Sequence, residues 1–306
     1  MVELNVLPWL VPLGPLLAFA IISLTTLGIK AFQPNFALPN NSIKATSHHY
    51  GGHHPDYGGM DVPYQPDWFR VFAIVVGMSG AVMALFIGWD LVFSALNEFG
   101  AGHFGEVGEI YANSIAWMAT GSSVTDALRI GVFVDPLNAV MLFMVPLAVL
   151  AIFIYSIGYM AHDPRQAKFF ALISLFAGAM LTLVVADNLL MLFVGWEVMG
   201  FCSYSLIGFW YEKKSAYNAA IKAFTVTRVA DVVMLLGIAY LYYITSQIVG
   251  ADGSLLFPGG TLNFRDILYD PAVLQAIGNT PAIIFGGMGI SAAGLIGIFL
   301  IIGTIG

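Results

Sequence analysis

Glu197, Arg228 and Asp231 stand inside stretches of sequence otherwise apolar enough to cross a bilayer. A charge at the centre of a span costs at least about 2.5–3.5 kcal/mol on insertion scales, so each needs a physical reason to be there. A carboxylate near mid-membrane can bind and release a proton where lipid admits no water, and the chemistry to expect of it is proton relay. Glu197 is the tenth residue of the apolar stretch 188–210, which at 1.5 Å per residue puts it near the middle. At offsets of three, seven and eleven follow Gly200, Tyr204 and Gly208, a small-and-polar stripe suited to close helix packing, with Ser203 and Ser205 beside it. The stripe turns Glu197 towards protein or water. The competing reading is a structural glutamate, neutral or paired with a neighbouring helix.

Arg228 and Asp231 are three residues apart, so on a helix they share a face and can neutralise one another. Arginine holds its proton too firmly to relay it, which leaves Asp231 as the titrating member and a plain salt bridge as the rival. Lys222, six residues earlier, is a fourth candidate, and it is also close enough to the surface to act as a snorkelling anchor. Asp135 and Asp187 fall where helices should begin and read as carboxylates complementing the helix dipole. Trp196, Trp210, Tyr211, Tyr240, Tyr242 and Tyr243 read as packing or headgroup-belt aromatics.

The elements that must hold these groups follow from apolar length. Seven stretches are long enough to cross a hydrocarbon core of about 30 Å, at 6–29, 71–95, 136–160, 168–186, 188–210, 219–245 and 281–304. The fourth and fifth need a tight turn at Ala186-Asp187-Asn188, because one continuous helix would overshoot the bilayer. The fold class is therefore all-α, a polytopic transmembrane bundle of about seven spans. Eight of the eleven basic residues follow the first, third and fifth spans: Lys30, Lys44, Arg70, Arg165, Lys168, Lys213, Lys214 and Lys222. By the positive-inside rule those connections face the cytoplasm or its organellar equivalent and the N-terminus lies outside. The organisation reads as a first span (1–29), a His/Gly-rich loop (30–70), a second span with its outside loop (71–133), and spans three to seven (134–306).

Composition agrees. Of 306 residues only 9% are charged and 59% are hydrophobic, which excludes a soluble globule. The net charge of −7 without a basic cluster excludes nucleic acid as a partner. The single cysteine, Cys202, excludes a disulfide framework and any multi-cysteine metal site. His48, His49, His53 and His54 could bind a borderline metal ion, but a Gly/Pro-rich stretch offers no scaffold to orient adjacent imidazoles, so the reading is a loop and no metal. Residues 126–135 alternate well enough for a short strand, and Thr261 or Asn263 can cap a short interfacial helix. From Pro271 to Gly306 no residue is charged, and the stretch ends without the Lys, Arg or aromatic anchors usual at headgroups. The expectation is a fragment or a split chain whose next residues are missing.

Two motifs are specific. Gly195-Trp-Glu-Val-Met-Gly-Phe-Cys-Ser-Tyr-Ser-Leu-Ile-Gly-Phe-Trp210 and Lys222-Ala-Phe-Thr-Val-Thr-Arg-Val-Ala-Asp231 closely resemble the antiporter-like subunit L of respiratory complex I, the proton-pumping NADH:quinone oxidoreductase. Asp135-Pro-Leu-Asn-Ala, Tyr155-Ser-Ile-Gly-Tyr-Met160, Ala186-Asp-Asn-Leu-Leu and Thr261-Leu-Asn-Phe-Arg extend the resemblance over about 130–270; the first 130 residues fit only loosely.

The resemblance implies a non-redox translocase subunit of the membrane arm, with Glu197 as the family's fifth-helix glutamate and Arg228 and Asp231 as its sixth-helix pair. It implies no cofactor in this chain, with FMN, iron–sulfur clusters and quinone held by partner subunits, in a bacterial plasma membrane or the inner membrane of an energy-converting organelle. The expected partners are the other membrane-arm subunits, lipid, and the remainder of the subunit after Gly306. In the family the glutamate works with a seventh-helix lysine expected just beyond that residue, so these 306 residues would not pump alone. The long His-rich loop departs from the family, whose members often have a short connection. A Mrp-type Na⁺/H⁺ antiporter or a membrane-bound hydrogenase large subunit shares the fold and the glutamate and stands as the alternative. An inert membrane scaffold, in which the charges merely pair, is the second.

Overall fold

A computed structural model of the chain describes residues 6–32, 67–100, 112–119, 127–250, 253–285 and 288–306. The His-rich loop, with His48, His49, His53 and His54, lies outside the described residues, among which no His/Cys/Asp/Glu group could hold a metal ion. Among the described residues, six helices are long and apolar enough to cross a membrane: α1 (Leu7–Phe32), α2 (Asp67–Gly100), α3 (Pro136–Tyr159), α4 (Gln166–Val185), α5 (Leu189–Ile207) and α6 (Lys214–Thr245). They match the first six stretches expected from apolar length to within a few residues, and the chain is an integral membrane protein built as an α-helical bundle.

Local chemistry sets the boundaries. Asp135 caps α3 by accepting the Asn138 backbone N–H at 2.7 Å, with Pro136 in the first turn where its missing donor costs nothing. At the α4–α5 turn, Asn188 and not Asp187 is the cap. Its backbone is extended and its Oδ1 accepts from the Met191 N–H at 2.8 Å, whereas Asp187 sits one residue outside the helix and bonds elsewhere. Helix α4 is the central strut, half buried inside the bundle against about a third or less of every other span. Phe170, Ala167 and Ala177 pack there with Ile22 of α1, Ala73 and Ala81 of α2 and Phe153 of α3. Helix α5 packs on α4, and α6 packs on α5.

Connections alternate between the two ends of the bundle. At one end the antiparallel hairpin β1 (Asn113–Ala119) and β2 (Ala127–Val132) meets the α4–α5 turn, where Phe133 N–H donates to Val185 O at 2.9 Å and Asp187 N–H to Gly131 O at 3.1 Å. Strand β2 realises the alternation seen at 126–135. The segment after α6 joins the same end, with Leu189 N–H on Leu262 O and Phe264 N–H on Asp187 O. There α7 (Phe264–Leu268) starts at Asn263 without a side-chain cap. Its Asp266 accepts instead, from the Thr261 hydroxyl at 2.6 Å and the Asn263 amide at 2.9 Å.

The opposite end holds the α3–α4 and α5–α6 turns. The Arg165 guanidinium pairs with Glu212 at 2.7 Å and lies 5.0 Å over the Phe209 ring, and the Trp210 indole donates to Asp163 at 2.9 Å. Arg70 of α2 reaches the same turn through Gln166 at 3.0 Å. Basic residues expected only to set orientation are thus also structural ties.

The seventh apolar stretch departs from a single span. After α8 (Pro271–Asn279), capped by Asp270, the chain forms an antiparallel pair, β3 (Pro281–Phe285) and β4 (Met288–Ser291), before the 14-residue α9 (Ala292–Ile305). The cause is local: β-branched Ile283 and Ile284 precede a glycine-rich run, and Ser291 restarts the helix by accepting the Gly294 N–H at 3.2 Å. Helix α9 packs on α6, where Ile296 joins Met234, Ile238 and Leu241.

Candidate functional site

The small-residue stripe of α5 lies against α6 as its spacing requires. Gly208 meets Ala220, and the Tyr204 and Phe224 rings pack in a tilted arrangement with centroids 4.8 Å apart. One turn further, Gly200 faces Arg228 so closely that a Cβ at that position would stand 2.7 Å from its guanidinium. Glycine at 200 thus leaves the room that the Arg228 guanidinium occupies. Ser203 is exposed and Ser205 bonds its own helix at Phe201 O, so neither supports the stripe.

Arg228 is the centre of the site. Its guanidinium makes a close ion pair with the Glu197 carboxylate, donates to the Glu197 backbone carbonyl at 3.1 Å and lies 3.6 Å from Asp231 Oδ2. Phe224 covers it, ring centroid 5.1 Å away. The sequence pattern pairs Arg228 with Asp231 within α6. Packing adds Glu197 from α5 and makes one guanidinium serve two carboxylates. Asp231 has a side chain 5% exposed and Glu197 one that is 31% exposed, so the aspartate is enclosed by protein and the glutamate retains an open side. The Trp196 indole N–H donates to Asp231 Oδ1 at 2.8 Å. Trp196 is not only a packing aromatic. The signal for this was its place beside Glu197, because an indole N–H within a span needs an acceptor. Lys222 stands exposed nearer the start of α6 and is not brought into the network.

A second polar cluster forms at the hairpin end, about 15 Å from Glu197 along α5. Asp187 is buried, and burial pushes its carboxyl up to about 6, against the opposing pull of the Asn188 amide and the Arg129 charge. Asp266 adds to the upward push. The Asp187 carboxylate packs directly on Gly131, where no Cβ would fit. Arg129 is tied to β1 through the Ser114 hydroxyl at 2.8 Å, and Asn188 donates to the Arg129 carbonyl at 2.9 Å. The residues from Leu190 to Val194 between the two clusters are apolar, so α5 itself offers no polar path from one to the other.

The fold and this site define a class: a helical membrane protein with an ionisable network held between two spans inside the bundle. Comparison with known proteins then says what this chain is similar to. Residues 117–170 match the family described as NADH-ubiquinone oxidoreductase (complex I), chain 5 N-terminus, and residues 186–280 the family described as NADH:quinone oxidoreductase/Mrp antiporter, TM. The two matched segments are similar to antiporter-like complex I subunits. The chain is similar to an NAD(P)H-quinone oxidoreductase chain 5 of Synechocystis, 47% identical over 45% of this chain and 20% of that protein. A chloroplastic NAD(P)H-quinone oxidoreductase subunit 5 of Anthoceros angustus is 41% identical over 54% of this chain and 21% of its own length. A protein named F(420)H(2) dehydrogenase subunit L, from Methanosarcina mazei, is 45% identical over 52% and 22%. The matched stretch thus spans about a fifth of the length of these curated relatives. By name, all three are subunits of oxidoreductases.

Proposed function

We propose that this chain supplies part of a proton pathway in the membrane arm of a complex I-type quinone oxidoreductase, driven by quinone reduction in other subunits. The observation that carries the reading is the single guanidinium shared by Glu197 and Asp231 across the α5–α6 contact. Two carboxylates and one arginine held between two membrane spans can gain or lose a proton by exchanging ion-pair partners. Moving one charge across 100 mV costs about 2.3 kcal/mol. A charge-assisted hydrogen bond is worth about 1.5–3 kcal/mol, so remaking such bonds is an adequate scale for pumping. Glu197 is the proton-carrying group, Asp231 its counterpart and Arg228 the fixed charge between them. Lys222 belongs at most to the approach. The relatives differ in the electron donor their names give, NAD(P)H or F(420)H(2), which supports assigning redox chemistry to partner subunits. FMN, iron–sulfur clusters and quinone belong there in this reading. The membrane is that of a bacterium or an energy-converting organelle.

The test is Glu197→Gln in the complete complex. The proton-to-electron ratio should fall, with proton uptake through this pathway slowed at least about tenfold, the rate equivalent of about 1.4 kcal/mol. An unchanged ratio would remove Glu197 from the pathway. The Mrp antiporter in the matched family's description keeps cation exchange as a second reading. Sodium-dependent proton movement without any electron donor would favour it.

A further inference from the structure

Trp196 and Glu197 are consecutive on α5, and both reach the same turn of α6. Glu197 takes Arg228 and Trp196 takes Asp231. The two oxygens of Asp231 have separate partners: Oδ1 accepts the indole N–H at 2.8 Å, while Oδ2 lies 3.6 Å from the Arg228 guanidinium, beyond hydrogen-bond length. Arg228 instead commits its close contacts to Glu197, at the carboxylate and at the backbone carbonyl. The indole thus supplies the short directed bond that Asp231 does not receive from the arginine. Without it, an enclosed carboxylate lacking a donor would draw Arg228 away from Glu197, since leaving a buried charge unsatisfied is the costlier state. An indole suits the task because it donates and never accepts, so it neither passes a proton on nor competes for the guanidinium.

We propose that Trp196 is a positioning residue whose indole N–H fixes the Asp231 carboxylate and thereby decides how Arg228 is divided between Asp231 and Glu197. The proposal rests on the proton-pathway reading above and adds the group that sets the state of the pair. The contrary view is that Trp196 only fills space beside the Met234, Ile238 and Leu241 cluster it packs against.

The experiment uses the complete membrane complex and replaces Trp196 by 3-benzothienylalanine, which keeps the shape of the indole and exchanges its N–H for sulfur. Trp196→Phe serves as a second variant, with assembly followed on native gels. The expected result is a lowered proton-to-electron ratio, with proton uptake through this pathway slowed about threefold or more by the isostere, the loss of one directed hydrogen bond. In the Asp231→Asn background the isostere should lower it no further, because its effect runs through that one carboxylate. A wild-type ratio with the isostere, or a loss of equal size in the Asp231→Asn background, would overturn the assignment. Glu197→Gln in the same preparation separates the two levels. If it lowers the ratio and the isostere does not, only the role of Trp196 fails; if it leaves the ratio unchanged, the pathway reading and the role fall together.

Discussion

Asp187 is a carboxyl that the folded chain makes easier to protonate than an ordinary aspartate. Burial raises it from an ordinary 3.8 to about 6, and the Asn188 amide and Arg129 only partly offset that. The sign follows directly. A raised acid binds more protons folded than unfolded, so its contribution is most favourable below about pH 4, is lost as pH rises towards about 6, and changes little above. Two pKa units correspond to about 3 kcal/mol at most. Asp187→Asn should therefore flatten this part of the stability profile. In detergent, the wild-type melting temperature should fall further between about pH 4 and pH 7 than that of the variant, and equal slopes would show that the carboxyl is not strained by burial. The same residue marks a limit of sequence reading. Asp187 and Asn188 are both good caps, and only the backbone conformation at the turn decides that Asn188 takes the role.

At the scale of the helix, the α5–α6 contact is set by a glycine. Gly200→Ala would normally favour a helix interior by about 0.5–1 kcal/mol, but its methyl would occupy the place of the Arg228 guanidinium. The displaced atoms are the far end of a flexible side chain, so the fold should tolerate the change, with a melting temperature shifted by no more than a few degrees. Proton-to-electron yield should nonetheless fall as it does for Glu197→Gln. A normal yield would show that Arg228 works from more than one position. The spacing of Gly200, Tyr204 and Gly208 made this face legible, as apolar length did the first six spans and Asp135 the start of α3. The pairing of Trp196 with Asp231 was not legible. Those residues are 35 apart in sequence and meet only because two helices cross, which no local pattern encodes. The hairpin at Pro281–Ser291 was missed for another reason: in a fully apolar run, β-branched residues carry no periodicity to tell strand from helix.

Across the whole molecule, the connections gather at two ends, and the charge distribution assigns those ends to opposite sides of the membrane. In a Cys202→Ala background, Ser215→Cys at the start of α6 and Ser254→Cys beyond its end are both exposed. A membrane-impermeant maleimide should label Ser254→Cys from outside and Ser215→Cys only from the inner side; labelling of both from one side would contradict the orientation. Between those ends, the Glu197–Arg228–Asp231 group has a simple count: two negative charges and one positive. In hydrocarbon a net charge is costly, and neutrality is reached by adding one positive charge and is lost again on adding two. The group is therefore a receptacle of unit capacity. In the pathway proposed above, a proton or an approaching cationic side chain would fill it, but not both at once, and a single turn of this site would carry at most one proton. Any larger stoichiometry for a complete machine must come from repeating such sites, and not from loading this one more deeply.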